Sequence, residues 1–249
     1  MDLTGIISIW EGENALNLGV DSVVASANDL ANNGGVTQGT GVVGSSMNFV
    51  AASTQTLSKA SNASLQVGGA VSFGAWVKLT SLATFGLLGK WQGATIEYLL
   101  AYAHGYGWVV NVRDSGDTTT YGAIHASGVA STGVWYFVTG GFMPSVPRIW
   151  VNVNAGTRTN VAGPAAIRSS TALFALGTFS VGQYLNGDLD QVIIQKAEWS
   201  GADETYLYNA GAGRTAAEIL ASDSVLGGGS AYVDVSNFSY SKRVQVIEY

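Results

Sequence analysis

Two carboxylates two residues apart, in Glu11-Gly-Glu13, are the first residues whose spacing could do chemistry. On a strand they share one face, the arrangement that general acid and nucleophile work needs. No third carboxylate stands at a spacing that completes such a set, and a solvated strand end accounts for the pair more simply. His104 and His125 are the only histidines, and neither sits in a zinc-holding His-Glu-x-x-His pattern. With Tyr102, Tyr106 and Trp108 around it, His104 reads as a packed or surface side chain. The absence of cysteine removes thiol nucleophiles, disulfides and Cys-zinc sites. There is no Gly-x-Ser-x-Gly elbow, and the glycine-rich stretches lack the lysine of a phosphate loop. A carbohydrate site would need exposed aromatic rings beside polar groups. The candidates are Trp91, Tyr102, Tyr106, Trp108 and Tyr121, although most rings of a large sandwich must belong to its core.

The elements that must position these rings are strands. Charged residues make up only 11% of the 249, against roughly 25% in an average soluble domain. Aromatic residues reach 10% and glycine 33 residues, so the low charge does not signal disorder. A net charge of −6 argues against a surface for nucleic-acid phosphates. Met1 and Asp2 open the chain without a basic, then apolar, leader, so no signal peptide is expected. The charge-free stretch from Ala60 to Val77 carries Ser61, Asn62, Ser64, Gln66 and Ser72, which a membrane span would not. A surface with so few charges suits a protein that lives in an assembly.

Short strand patterns recur about every 8 to 12 residues, as in a sandwich or barrel. They cover Ile6 to Trp10, Met47 to Val50, Thr56 to Ser58, Val71 to Leu79, Phe85 to Lys90, Ile96 to Tyr102, Gly107 to Val112 and Thr119 to Ile124. Val134 to Val138, Arg148 to Val153, Phe179 to Gln183 and Asp188 to Gln195 complete the set. In the fourth, Val71, Phe73, Ala75, Val77 and Leu79 alternate onto one face. Two short helices are expected late, one capped by Ser200 ahead of Asp203 and Glu204, one opened by the capping box Thr215-Ala-Ala-Glu218. The division expected is a domain over residues 1–225, then a Gly-rich joint and strand-like tail over 226–249.

The order of several motifs then resembles the laminin-G-like, concanavalin A-like jelly-roll family, over roughly Leu3 to Leu220. The motifs are Ile7-Ser-Ile-Trp10, Asp21-Ser22, Asn28-Asp29-Leu30, Asn33-Gly34-Gly35-Val36, Phe73-Gly-Ala-Trp76-Val77-Lys78 and Gly89-Lys90-Trp91. Gly133-Val-Trp135-Tyr136-Phe137-Val138, Gly187-Asp188-Leu189-Asp190-Gln191-Val192, Trp199-Ser200 and Tyr206-Leu-Tyr208-Asn209 follow in the expected order. The family's Tyr-Val-Asp/Asn-Gly turn is displaced here into Trp150-Val151-Asn152-Val153-Asn154-Ala155-Gly156. The resemblance implies an all-β fold, an antiparallel β-sandwich with the strand aromatics in its core.

Glucan-cleaving enzymes of this architecture carry a Glu-x-Asp-x-x-Glu strand that this chain lacks, so a non-enzymatic protein is expected. The resemblance implies a calcium ion at the sandwich edge, at the matching positions Asp21, Asn28, Asp29 and Asp190. The other reading is that Asp21 and Asn28 fix turns while Asp190 accepts backbone hydrogen bonds. The stretch Tyr208-Asn209-Ala-Gly211-Ala-Gly213-Arg214-Thr-Ala-Ala-Glu218-Ile219 resembles modules of this family in phage. The expected function is that of a virion structural protein: capsid decoration, or part of a head or tail appendage of a tailed phage. Its expected partners are other virion proteins, copies of itself and host-surface glycans, with neither nucleic acid nor membrane insertion. The alternative is a free, calcium-dependent carbohydrate-binding module.

Overall fold

A computed structural model describes residues 3–23, 28–93, 95–180 and 182–226 of the chain. Alternating apolar residues and glycine-rich turns fold it into two antiparallel sheets. The strands are β1 (Ile6–Trp10), β2 (Ala31–Asn33), β3 (Thr37–Thr40), β4 (Ser45–Phe49), β5 (Thr56–Lys59), β6 (Val71–Leu79), β7 (Phe85–Gln92) and β8 (Thr95–Ala103). Then come β9 (Gly107–Arg113), β10 (Thr120–Ile124), β11 (Trp135–Met143), β12 (Arg148–Val153), β13 (Thr159–Ala162), β14 (Phe174–Leu176) and β15 (Gly187–Gln195). One sheet runs β13-β12-β11-β6-β15-β4-β3, with β1 also on β15; the other runs β10-β9-β8-β7-β14-β5-β2. This is the sandwich with two short late helices that the sequence leads one to expect.

The core lies between the sheets. Val71, Phe73, Ala75, Val77 and Leu79 of β6 face Tyr98, Leu100, Trp108 and Val110 of the second sheet. The outer side of β6 is also covered. Trp76 packs there with Phe137, Trp150, Ile193 and Trp199 beneath α1 (Gly201–Tyr208) and α2 (Ala216–Leu226). Burial on both faces explains why β6 reads as a nearly continuous apolar run. Both helices begin as their sequences require. Ser200 Oγ accepts the Asp203 amide while Asp203 answers to the Ser200 amide. Thr215 and Glu218 exchange the same reciprocal pair.

Glu204 fixes α1 to the sheet. Its carboxylate is buried and accepts from Thr139, from Asn152 at 3.0 Å and from Arg158 at 2.7 Å. The Arg158 guanidinium lies 3.8 Å over the Trp150 ring, so one cation serves two contacts.

One strand expectation is overturned. Residues 179, 180, 182 and 183 do not form a strand but belong to a loop between β14 and β15. Gly177 enters it at φ +82°, and a Cβ there would meet the Phe49 ring at 2.6 Å. Positive φ at Gly177 and Gly182 turns this stretch away from extended backbone, which overrides the strand propensity of Phe179. The expected tail over 226–249 falls, but for Leu226, outside the described residues. Among the described residues, no helix is long and apolar enough to cross a membrane.

Candidate functional site

Around β14 the outer face of the second sheet is built from small residues. Ala175 of β14 pairs with Gly89 on one side and Ser58 on the other, while its neighbours Phe174 and Leu176 point into the core. Small side chains leave room above the sheet, and an open groove of about 220 Å³ occupies it. Ala175 and Thr56 line it from the strands, and Trp91, Phe179 and Tyr184 supply aromatic rings. Thr54, Thr178 and Ser180 add hydroxyls. Trp91 and Phe179 meet nearly at right angles, 5.9 Å between centroids and 74° between planes. All three rings are half-buried.

The loop that carries Phe179 and Tyr184 is held in place at several points. The Gly177 amide donates to Leu87 at 3.0 Å, and the Leu185 amide returns to Gly177 at 2.8 Å. Thr178 and Tyr184 form an isolated bridge across the loop. The Thr178 hydroxyl donates to the carbonyls of Ser180 and Gln183 at 3.1 and 3.2 Å. The loop lies on Gly86 of β7, where a Cβ would come within 2.8 Å of the Thr178 carbonyl. The rings are thus set before any ligand arrives, which lowers the ordering cost of binding.

Of the five expected glycan-contact rings, the structure places only Trp91 on this groove. Tyr102 and Trp108 are corrected: both are fully buried, meeting each other edge-on at 5.0 Å between centroids. They alternate in phase with Leu100 and Val110, so both turn inward and offer no face to a sugar. Tyr121 pairs with Val112 and packs half-buried against the same core. Tyr106 is exposed at the turn between β8 and β9, away from the groove lining. Phe179 was missed because its stretch read as a strand ending at Gln183, just before Tyr184; the glycines at 177 and 182 were the signal that it turns.

Of the four expected calcium positions, Asp21, Asn28 and Asp29 are brought together, and Asp190 does not join them. The Asp21 carboxylate accepts from Ser8 Oγ and from the amides of Ile9, Val23 and Asn28 at 2.9 to 3.2 Å. Asn28 Oδ1 accepts from Asn62 at 2.7 Å and from Ser64 at 2.9 Å, and Asp29 Oδ1 from the Asp21 amide at 2.9 Å. Asp190 belongs to a different cluster, its Oδ2 accepting the amides of Val42 and Val43 at 2.8 and 3.0 Å. Among the described residues, no three acidic, histidine or cysteine side chains gather as metal ligands do. The Asp21 oxygens are committed to fixing turns, whereas the buried Asp190 Oδ1 has no hydrogen bond among the described residues and lies in the other cluster, so the four positions do not form one cation site.

The carboxylate pair is also engaged. Glu11 accepts from the Ala216 amide at 2.5 Å and from Ser22 at 3.1 Å, and burial pushes its carboxyl above the usual range. Glu13 accepts from the Ser45 amide at 2.9 Å. Both line a small pocket of about 70 Å³, together with Asn14, Asn17, Leu18, Val20 and Ser22. His125 sits in a turn, its ring nitrogens 2.7 Å from Ser127 Oγ and 3.2 Å from the Thr157 carbonyl.

A family model described as the concanavalin A-like lectin/glucanases superfamily matches residues 52–203. No curated protein matches the chain. Among solved structures, domain 4 of AbnA, an extracellular arabinanase from Geobacillus stearothermophilus in complex with arabinotriose, has a TM-score of 0.65 at 15% identity. That match covers 81% of this chain and 97% of the other. The binding domain of Paraclostridial Mosquitocidal Protein 1 gives 0.67 at 11% identity, over 84% of this chain and 52% of that one. The binding domain of botulinum neurotoxin DC in complex with SialylT gives 0.62 at 12% identity, over 84% and 51%. The chain spans about half the length of these two toxin domains. At such identities the likeness concerns the fold alone.

Proposed function

The chain belongs to the concanavalin A-like lectin/glucanases superfamily, and we propose that within it the chain is a non-catalytic glycan-binding module that holds its sugar in the groove beside Trp91. The observation that carries this reading is the corner formed by Trp91 and Phe179 above a floor of small residues. A sugar ring has apolar C–H faces and a rim of hydroxyls. An aromatic face beside Thr54, Thr56, Ser180 and Tyr184 matches both, in the manner of small-molecule sites that pair apolar walls with a few polar groups. The arabinotriose held by the AbnA domain and the SialylT bound by the neurotoxin domain lend support by analogy of fold. Glu11 and Glu13 stand away from this groove and answer to backbone amides, which favours binding over cleavage. The test is a glycan array on the full chain, followed by titration of any hit against Trp91→Ala. The expected loss is about tenfold or more in affinity, the scale of an aromatic anchor. Unchanged affinity would remove the groove from the function.

A narrower reading places the module on a virus particle, as a capsid decoration or appendage component of a tailed phage that grips host-surface glycans. Its support is the sparse charge, 11% of residues, and the strand-like pattern of Tyr232-Val-Asp-Val235 and Val244-Gln-Val-Ile247. Such segments could pair with another copy's sheet edge. On this reading light scattering finds a defined oligomer for the full chain and a folded monomer when residues 231–249 are removed. A truncated chain that still assembles would overturn it.

A further inference from the structure

We infer that the groove selects an uncharged saccharide and turns away glycans whose contact residue is a sialic or uronic acid; this deepens the glycan-binding reading and rests on it. None of the side chains lining the groove carries a charge at neutral pH. A carboxylate held there would meet hydroxyls but no cation, and neutral hydroxyls make weaker bonds to it than the charge-assisted ones it forms with arginine or lysine. The nearest lysine along the strand is Lys90, beside Trp91, and it is committed elsewhere. It is fully buried, paired to Glu97 at 2.9 Å, and donates to Ser61 at 3.0 Å and to the Ser170 carbonyl at 2.6 Å. Its partner across the sheet is Phe174, a core residue, whereas Ala175 lines the groove. The net charge of −6 adds a repulsive long-range field. A neutral sugar has no such penalty: its C–H face meets Trp91 or Phe179 and its hydroxyls exchange water for the threonine, serine and tyrosine hydroxyls.

The experiment titrates the full chain, by tryptophan fluorescence and calorimetry, with arabinotriose, xylotriose and cellotriose as neutral probes. Sialyllactose and trigalacturonic acid serve as acidic probes, and each titration is repeated at low and high salt. At least one neutral probe should bind, independently of salt, about tenfold more tightly than either acidic probe, and binding should be lost in Trp91→Ala. Ser180→Lys, which sets a cation at the exposed rim of the groove, should raise the affinity of the acidic probes relative to the neutral ones. Acidic probes that bind as tightly as neutral ones, and lose binding in Trp91→Ala, would overturn the charge selection and leave the groove standing. Binding by no probe, or binding that survives Trp91→Ala, would remove the groove itself. Circular dichroism of both variants separates these outcomes from misfolding.

Discussion

Phe179 meets Trp91 edge-on, 74° between ring planes, and a residue with no side chain lets it do so. The loop bearing Phe179 rests on Gly86, where a Cβ would stand 2.8 Å from the Thr178 carbonyl and 3.1 Å from Phe179 Cβ. Gly86→Val must therefore lift the loop and swing one wall of the corner aside. The cost of such overpacking is about 1–3 kcal/mol, which lowers the midpoint of a chain this size by roughly 2–10 °C. Sugar affinity should fall about tenfold in a protein that is still folded. Calorimetric titration beside a thermal melt reads both quantities. A folded Gly86→Val that binds like the parent would show that the loop is not a wall of the site.

The architecture was legible where local pattern and tertiary role agree. Val71–Leu79 and Arg148–Val153 appear with their expected bounds. Ser200 and Thr215 open their helices because a cap is a local hydrogen bond readable from four residues. The site was half legible. Trp91 stands out as an aromatic, but Tyr102 and Trp108 do so equally, and only their phase with Leu100 and Val110 gives them to the core. What no local pattern could supply is the insertion of β14 between β5 and β7. That pairing brings Ala175 beside Gly89, residues far apart in sequence, and creates the floor of the groove.

Chelation distinguishes the two readings of the early aspartates. The Asp21 carboxylate already takes four donors, and Asp190 lies in another cluster. A chain built this way should melt at the same temperature with and without EDTA. A midpoint that drops in EDTA and recovers on adding calcium would show that a bound ion reorganises these residues, and would restore the calcium-dependent module as the better description.

Lys90 and Glu97 form an ion pair with no exposed surface on either side chain. Burial draws the Lys90 ammonium below its ordinary range, against the upward pull of Glu97. Glu97 also accepts the amides of Val67 and Ser170 at 2.6 and 2.8 Å, which ties two connecting segments to the sheet. Lys90→Met leaves a buried carboxylate without its cation and should cost about 3–5 kcal/mol in urea unfolding. Adding Glu97→Gln should recover part of that, because it removes the uncompensated charge, although its single amide oxygen can accept only one of the two backbone amides that Oε1 and Oε2 hold. If the double variant is no more stable than Lys90→Met, the loss comes from packing around the lysine stem and not from the charge.

Asp190 makes stability depend on pH. It sits where β15 changes partner from β4 to β1, at a bulge whose next residue, Gln191, has φ +46°. The side chain is fully buried and its Oδ1 makes no hydrogen bond among the described residues. Burial raises its carboxyl to about 7, against the amides of Val43 and Val42 and with some help from the charge of Glu11. The folded chain therefore holds a proton that the unfolded chain, with an ordinary carboxyl near 3.8, gives up. Where the native state binds more protons, stability falls as pH rises, here from about pH 4 to about pH 7. The full effect is on the order of 4 kcal/mol. Urea midpoints at about pH 5 should exceed those at about pH 8. In Asp190→Asn, which mimics the neutral acid, most of that difference should vanish. Glu11, raised in the same direction by its own burial, leaves a small residue of slope. A parent chain equally stable at both pH values, or an Asp190→Asn chain with the parent's full slope, would place the proton elsewhere.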